Sequence, residues 1–191
     1  MASAARKIAT YRDVLDAPEH MVAEVIDGEL HLQPRPARRH AYASSYLGAD
    51  LTLPFGRGRG GPGGWLILDE PELYLGPEPA ILVPDLAGWR VDRATFDGEG
   101  AFIDVVPDWV CEVLSPSTAA FDRSRKADLY AELGVSYLWL VDVSTRQIEA
   151  FRLAEGKWLR LGAYGQAEAR IEPFDAVPLE VPALFTFPNE R

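Results

Sequence analysis

One run dominates the hydrophobic pattern of the chain: Trp109-Val110-Cys111-Glu112-Val113-Leu114, apolar except for the acid Glu112. Its length, bounded by turn residues, predicts a strand buried on both faces. Ser115-Pro116-Ser117-Thr118 ends it, because Pro116 cannot donate to a sheet ladder and Ser117 or Thr118 can cap a helix. From Ser117 to Leu133 the period becomes helical, with Gly134 as the residue that stops the helix. Lys126, Leu129, Tyr130 and Leu133 fall at i, i+3, i+4 and i+7, so Lys126 belongs to the packed face, with Asp122 one turn earlier on the same stripe. Val135 to Val141 predicts a further, fully apolar strand.

The flanking segments are read the same way. Thr10 to Ala17 predicts a short helix that ends near Pro18. Val22–Ile26 and Glu29–Leu32 flank Asp27-Gly28, a hairpin signal. Val22, Glu24 and Ile26 share a face, so Glu24 either points inward or, on an edge strand, lies in water. Arg38 to Leu53 predicts a helix with Ala43, Leu47 and Leu51 on its stripe, and His40 reads as a packing or capping residue. The stretch Gly56 to Gly64 is too glycine-rich to hold one shape and lacks the Gly-Lys-Ser/Thr of a phosphate loop. It reads as a flexible connection, with phosphate contact by Arg57 and Arg59 as the alternative. Trp65–Leu68 and Glu72–Leu75 predict strands, and 81–89 predicts another, interrupted by Asp85, with Pro84 marking an irregular or edge position. Residues 90–106 suggest a connection with a short helical piece. Gln147–Leu153 and Lys157–Leu161 suggest a peripheral hairpin around Glu155-Gly156, and the proline-rich tail suggests a surface wrap. With no repeat and no linker, residues 1–191 are expected to form a single domain of the α/β class, a mixed sheet flanked by helices.

Composition narrows the function classes. The chain is 191 residues long and 48% hydrophobic, and no apolar run approaches the roughly 20 residues of a membrane helix. Met1 to Arg12 shows no secretion signal, and the lone Cys111, on the opposite strand face from Glu112, reads as a buried inert thiol; the cytoplasm is the expected compartment. The net charge of −10 disfavours sequence-independent DNA binding without excluding a local basic groove. Three histidines and no Cys-x-x-Cys or His-x-x-x-His argue against structural zinc.

Asp85, Glu112 and Lys126 are therefore charged groups expected to face inward, with Glu24 as a possible fourth. Two carboxylates on neighbouring strands can share Mg²⁺ or Mn²⁺. A lysine beside them can orient or deprotonate a water, an assembly suited to phosphodiester hydrolysis. A purely structural salt bridge would leave a net buried negative charge, a deficit that a metal resolves. Asp108 shares the strand parity of Glu112 but lies roughly 13 Å away along the strand, and is assigned to the start of the strand.

Five segments carry a resemblance: Glu24 to Leu30, Val83-Pro84-Asp85-Leu86, Pro107 to Thr118, Asp122-x-x-x-Lys126-x-x-x-Tyr130 and Gly134 to Asp142. In that order they resemble the Uma-type family of restriction-endonuclease-like proteins, within the PD-(D/E)XK nuclease superfamily, over about residues 10 to 187. The resemblance implies a restriction-endonuclease-like fold and metal-dependent DNA cleavage in which Asp85 and Glu112 bind the metal and Glu24 assists. The superfamily pattern would put lysine two residues after the acid, where this chain has Leu114; the resemblance implies that Lys126 replaces it. His40 falls where the family has a histidine, and His40, Arg57, Arg59, Arg123 and Arg125 are the candidate substrate contacts. DNA is the implied partner, with a homodimer as a candidate assembly. The rival readings are a non-catalytic nucleic-acid- or protein-binding module on a nuclease fold, and a nuclease acting on RNA or branched DNA.

Overall fold

The structure, a computed structural model, describes residues 8–76, 80–94, 96 and 100–190. A short helix α1 (Tyr11–Leu15) follows Thr10, whose backbone and hydroxyl both bond Asp13. Strands β1 (Met21–Ile26) and β2 (Glu29–Pro34) form the expected hairpin. Asp27 and Gly28 take φ of 54° and 71°, the left-handed pair that such a two-residue turn requires. β1 also pairs with β5 (Ala80–Leu82), and β5 with β4 (Leu73–Leu75), giving a four-stranded antiparallel sheet of order β2-β1-β5-β4. β1 is thus an interior strand, and Glu24 points inward.

The second sheet has six strands in the order β10-β9-β8-β7-β6-β3. They are β3 (Trp65–Asp69), β6 (Leu86–Arg90), β7 (Trp109–Leu114), β8 (Tyr137–Asp142), β9 (Gln147–Ala154) and β10 (Lys157–Tyr164). Only β7 and β8 run parallel, joined by a helical crossover of α3 (Ala119–Phe121), a π-helical turn (Asp122–Lys126) and α4 (Ala127–Glu132). In the π turn the Ala127 N–H bonds the carbonyl of Asp122, five residues back. The expected hairpin at 147–161 is peripheral in that it forms the outer edge of this sheet. The tail contributes a small two-stranded ladder, β11 (Glu168–Ala169) with β12 (Leu179–Glu180).

Every residue of β7 is buried, and alternation divides them between two cores. Trp109, Cys111 and Val113 pack with Leu47 of α2 (Arg38–Leu51), Phe174 and Leu184. Val110 and Leu114 pack with Ile26, Leu82 and Tyr130, between the two sheets and the crossover. Glu112 lies on this second face, and Cys111 is buried on the first, as its parity requires.

Three sequence expectations are corrected. Residues 81–89 form two strands in different sheets, because Pro84 cannot continue a ladder; Asp85 stands in the gap where the chain passes from one sheet to the other. Among the described residues of 90–106 there is a turn at 91–93 but no helix. The glycine-rich loop has a definite path: Arg59 N–H bonds Leu53 O and Gly63 N–H bonds Pro54 O, at 3.0 and 2.9 Å. A Cβ on Gly61 would lie 2.5 Å from Pro54 Cβ, so glycine there permits the chain to close on itself. Among the described residues no helix is long and apolar enough to cross a membrane.

Candidate active site

The π turn sets Lys126 over the buried face of β7. Its ammonium Nζ lies 2.9 Å from Glu112 Oε1 and 2.8 Å from Glu24 Oε1. Glu24, Lys126 and Glu112 are 1%, 2% and 4% exposed, so this is a buried charge cluster. Each carboxylate is further anchored. Glu24 Oε1 accepts the Val83 N–H at 2.8 Å and its Oε2 accepts Gln33 Nε2 at 3.0 Å. Glu112 Oε1 accepts the Tyr130 hydroxyl at 2.5 Å.

Asp85 approaches from the gap between the sheets. Its Oδ2 accepts the Val113 N–H at 2.7 Å, which holds its carboxylate beside the residue that follows Glu112. Its Oδ1 lies 3.3 Å from His40 Nε2, on the first turn of α2. His40 is therefore neither a capping nor a mere packing residue: it meets Asp85 at the site. Among the described residues the ion pairs of Lys126 are with Glu112 and Glu24. Asp85, Glu112, Glu24, Asp122, Lys126 and His40 all line one cavity of about 210 Å³.

Burial pushes the Glu112 carboxyl well above the usual range; Lys126 opposes that shift, while Asp122, Asp85 and Glu24 add to it. Burial also raises Asp122, again against Lys126. Burial alone would lower Lys126, but Glu112, Glu24 and Asp122 outweigh it and hold the ammonium protonated. The same contest at His40 is won by the hydrogen bond and charge of Asp85, which raise the imidazole above its ordinary value. Burial likewise raises the Tyr130 phenol, with Glu112 adding to it, so that hydroxyl remains a donor.

The sequence matches the Uma2 family, described as "Putative restriction endonuclease", over residues 8–183. The chain belongs to the Uma2 family. Among solved structures it is similar to one described as a "putative nuclease belonging to DUF820" from Anabaena variabilis ATCC 29413. The TM-score is 0.73 at 20% identity, with 92% of this chain and 97% of that chain covered, a likeness of fold. A comparison with curated proteins returned no match.

The remaining candidates of this Uma2 chain separate clearly. Asp108 clasps the start of β7: its Oδ2 accepts the Arg90 N–H at 2.8 Å and its Oδ1 pairs with Arg93 at 2.7 Å. Arg123 pairs with Asp142 and Glu149, and Arg125 with Asp27 and Glu132, so both are engaged away from the cavity. Arg57 and Arg59 are exposed beyond the far end of α2, whose 14 residues put about 20 Å between them and His40. None of these four arginines lines the cavity. Sequence reasoning missed Gln33, whose role needs the β1–β2 register, and the Tyr130 hydroxyl, which its helical stripe presented only as an apolar contact.

Proposed function

We propose that the chain is a divalent-metal-dependent endonuclease that hydrolyses DNA phosphodiester bonds. One observation carries this reading: a solvent-accessible cavity holds Lys126 between Glu24 and Glu112, and the carboxylates of Asp85 and Glu112 line that same cavity. Five carboxylates line the cavity against two fixed cations, Arg35 and Lys126, an excess that makes a bare site costly. Membership of a restriction-endonuclease family supports the same reading.

Among the described residues no three His, Cys, Asp or Glu side chains form a ready ligand cluster. Mg²⁺ is commonly bound by one or two carboxylates and otherwise by water and substrate phosphate oxygens. Asp85 and Glu112 would hold it, or Mn²⁺, and the ion supplies Lewis-acid stabilisation of charge on the phosphate. Lys126, locked in its protonated form, orients the attacking water and stabilises developing negative charge; it does not act as the base. Tyr130 fixes the Glu112 carboxylate. Glu24, held by Val83 and Gln33, positions Lys126. The proposed setting is the cytoplasm, where a buried thiol such as Cys111 stays reduced.

The test is cleavage of duplex, single-stranded and branched DNA, and of RNA, with Mg²⁺, Mn²⁺ or EDTA. DNA cutting that needs the metal and is lost in Asp85→Asn and Glu112→Gln is expected. Nucleic-acid binding with no cutting in any metal would instead support the non-catalytic module, a reading that the net charge of −10 does not itself favour for DNA.

A further inference from the structure

Arg35 and Glu70 are joined by an ion pair, Nη1 to Oε2 at 2.8 Å, on the rim between the active-site cavity and a neighbouring groove of about 350 Å³. Both residues line both spaces. The mechanism above uses neither of them. Lys126 is buried at the floor, so Arg35 is the fixed cation that the described cavity lining presents at its mouth. The acids of the lining, Glu24, Glu70, Asp85, Glu112 and Asp122, would repel a phosphate backbone approaching the cavity.

The local chain is built to hold this pair in place. Arg35 lies between Pro34 and Pro36, and the proline after it restricts its backbone to extended conformations. Glu70 takes φ of +42°, unfavourable for a residue with a Cβ, and is held there by its N–H bond to the carbonyl of Asp85 at 3.1 Å. A metal-ligand candidate and the rim acid are thus neighbours through the backbone. The pair itself is open to water, with Arg35 exposed and Glu70 half-buried, and ion pairs of that kind contribute little to stability. A guanidinium matches the oxygens of a phosphate, and can exchange one anion for another without moving far.

We propose that Arg35 binds a backbone phosphate of the nucleic acid at the mouth of the site, and that Glu70 is its resting partner, displaced when the phosphate arrives. The inference rests on the nuclease reading for the identity of the anion. Glu70 then screens the cavity, so that only a ligand able to outcompete a carboxylate enters.

The experiment measures duplex DNA binding in Ca²⁺ and cleavage in Mg²⁺ for wild type, Arg35→Ala, Arg35→Lys and Glu70→Gln, across a salt series. Arg35→Ala should weaken binding about tenfold, flatten the salt dependence by about one unit of slope, and raise KM more than it lowers kcat. Arg35→Lys should recover the salt slope and part of the affinity, and Glu70→Gln should tighten binding. Thermal melts of the variants separate lost folding from lost binding. If wild type binds or cuts DNA and Arg35→Ala does so equally well, or if Glu70→Gln weakens binding, this inference is wrong while the nuclease reading stands. A wild-type chain that neither binds nor cuts any nucleic acid overturns both.

Discussion

Lys126 Nζ lies 2.8 Å from Glu24 Oε1, tying the crossover helix to an interior strand of the other sheet. With Glu112 2.9 Å away on its other side, the lysine is at once the cation that makes two buried acids tolerable and the group assigned to the chemistry. The two roles can be tested apart.

Lys126→Ala removes the cation and leaves Glu24 and Glu112 without it. In EDTA at neutral pH the loss of stability should be about 3–5 kcal/mol, as for other buried pairs with one partner removed. Chemical denaturation checks it. Lowering the pH should recover part of the loss, because the stranded carboxyls take up protons. Cleavage should be abolished even under conditions where the variant is folded; cutting at the wild-type rate would refute the assignment.

Glu112→Gln should stay within about 1 kcal/mol of wild type in EDTA at neutral pH, since the amide keeps the shape of the side chain and removes a charge that burial and the neighbouring acids disfavour. A group whose folded pKa is raised stabilises fully below its unfolded pKa and loses that contribution as pH rises through the folded value. Metal-free wild type should therefore lose stability from the mildly acidic range upwards, and Glu112→Gln should flatten that decline. Mn²⁺ should raise the melting temperature of wild type more at pH 8 than at pH 6 and leave Glu112→Gln nearly unmoved. A Glu112→Gln variant several kcal/mol less stable would favour a structural salt bridge.

His40 should titrate above the ordinary histidine value, because Asp85 outweighs burial. Its stabilising contribution is complete below the unfolded pKa and fades as pH passes through the raised one. NMR can follow it directly among only three histidines. In Asp85→Asn the pKa should fall, since the hydrogen bond and charge of Asp85 oppose burial more than Val113 and Glu70 do; an unchanged value would mean that the contact between His40 and Asp85 is not what raises it.

Gly61→Ala and Gly60→Ala separate a built loop from a flexible one. The first puts a Cβ 2.5 Å from Pro54 Cβ and should destabilise by about 1–3 kcal/mol. At Gly60 a Cβ meets nothing within 4 Å, so only the φ of +79° is penalised, by about 1 kcal/mol. Equal, negligible effects would show that the loop has no fixed path.

What the chain by itself determined was the facing of its residues. Strand alternation put Glu112 opposite Cys111, and helical spacing put Lys126 on the packed side with Tyr130; both hold because facing depends only on local backbone period. The hairpins at Asp27-Gly28 and Glu155-Gly156 were legible for the same reason, their turn residues adopting the positive φ that the connection needs. Only the tertiary structure decided who meets whom. Lys126 meets Glu24 and not Asp85, because the two sheets separate at Pro84-Asp85 and bring β1, not the Asp85 side chain, over the crossover helix. His40 meets Asp85 through the placement of α2 relative to that gap, and Arg35, between β2 and α2, meets Glu70 just after β3. Such contacts join segments distant in the chain. Their geometry comes from how whole layers pack, and no period within one segment contains it.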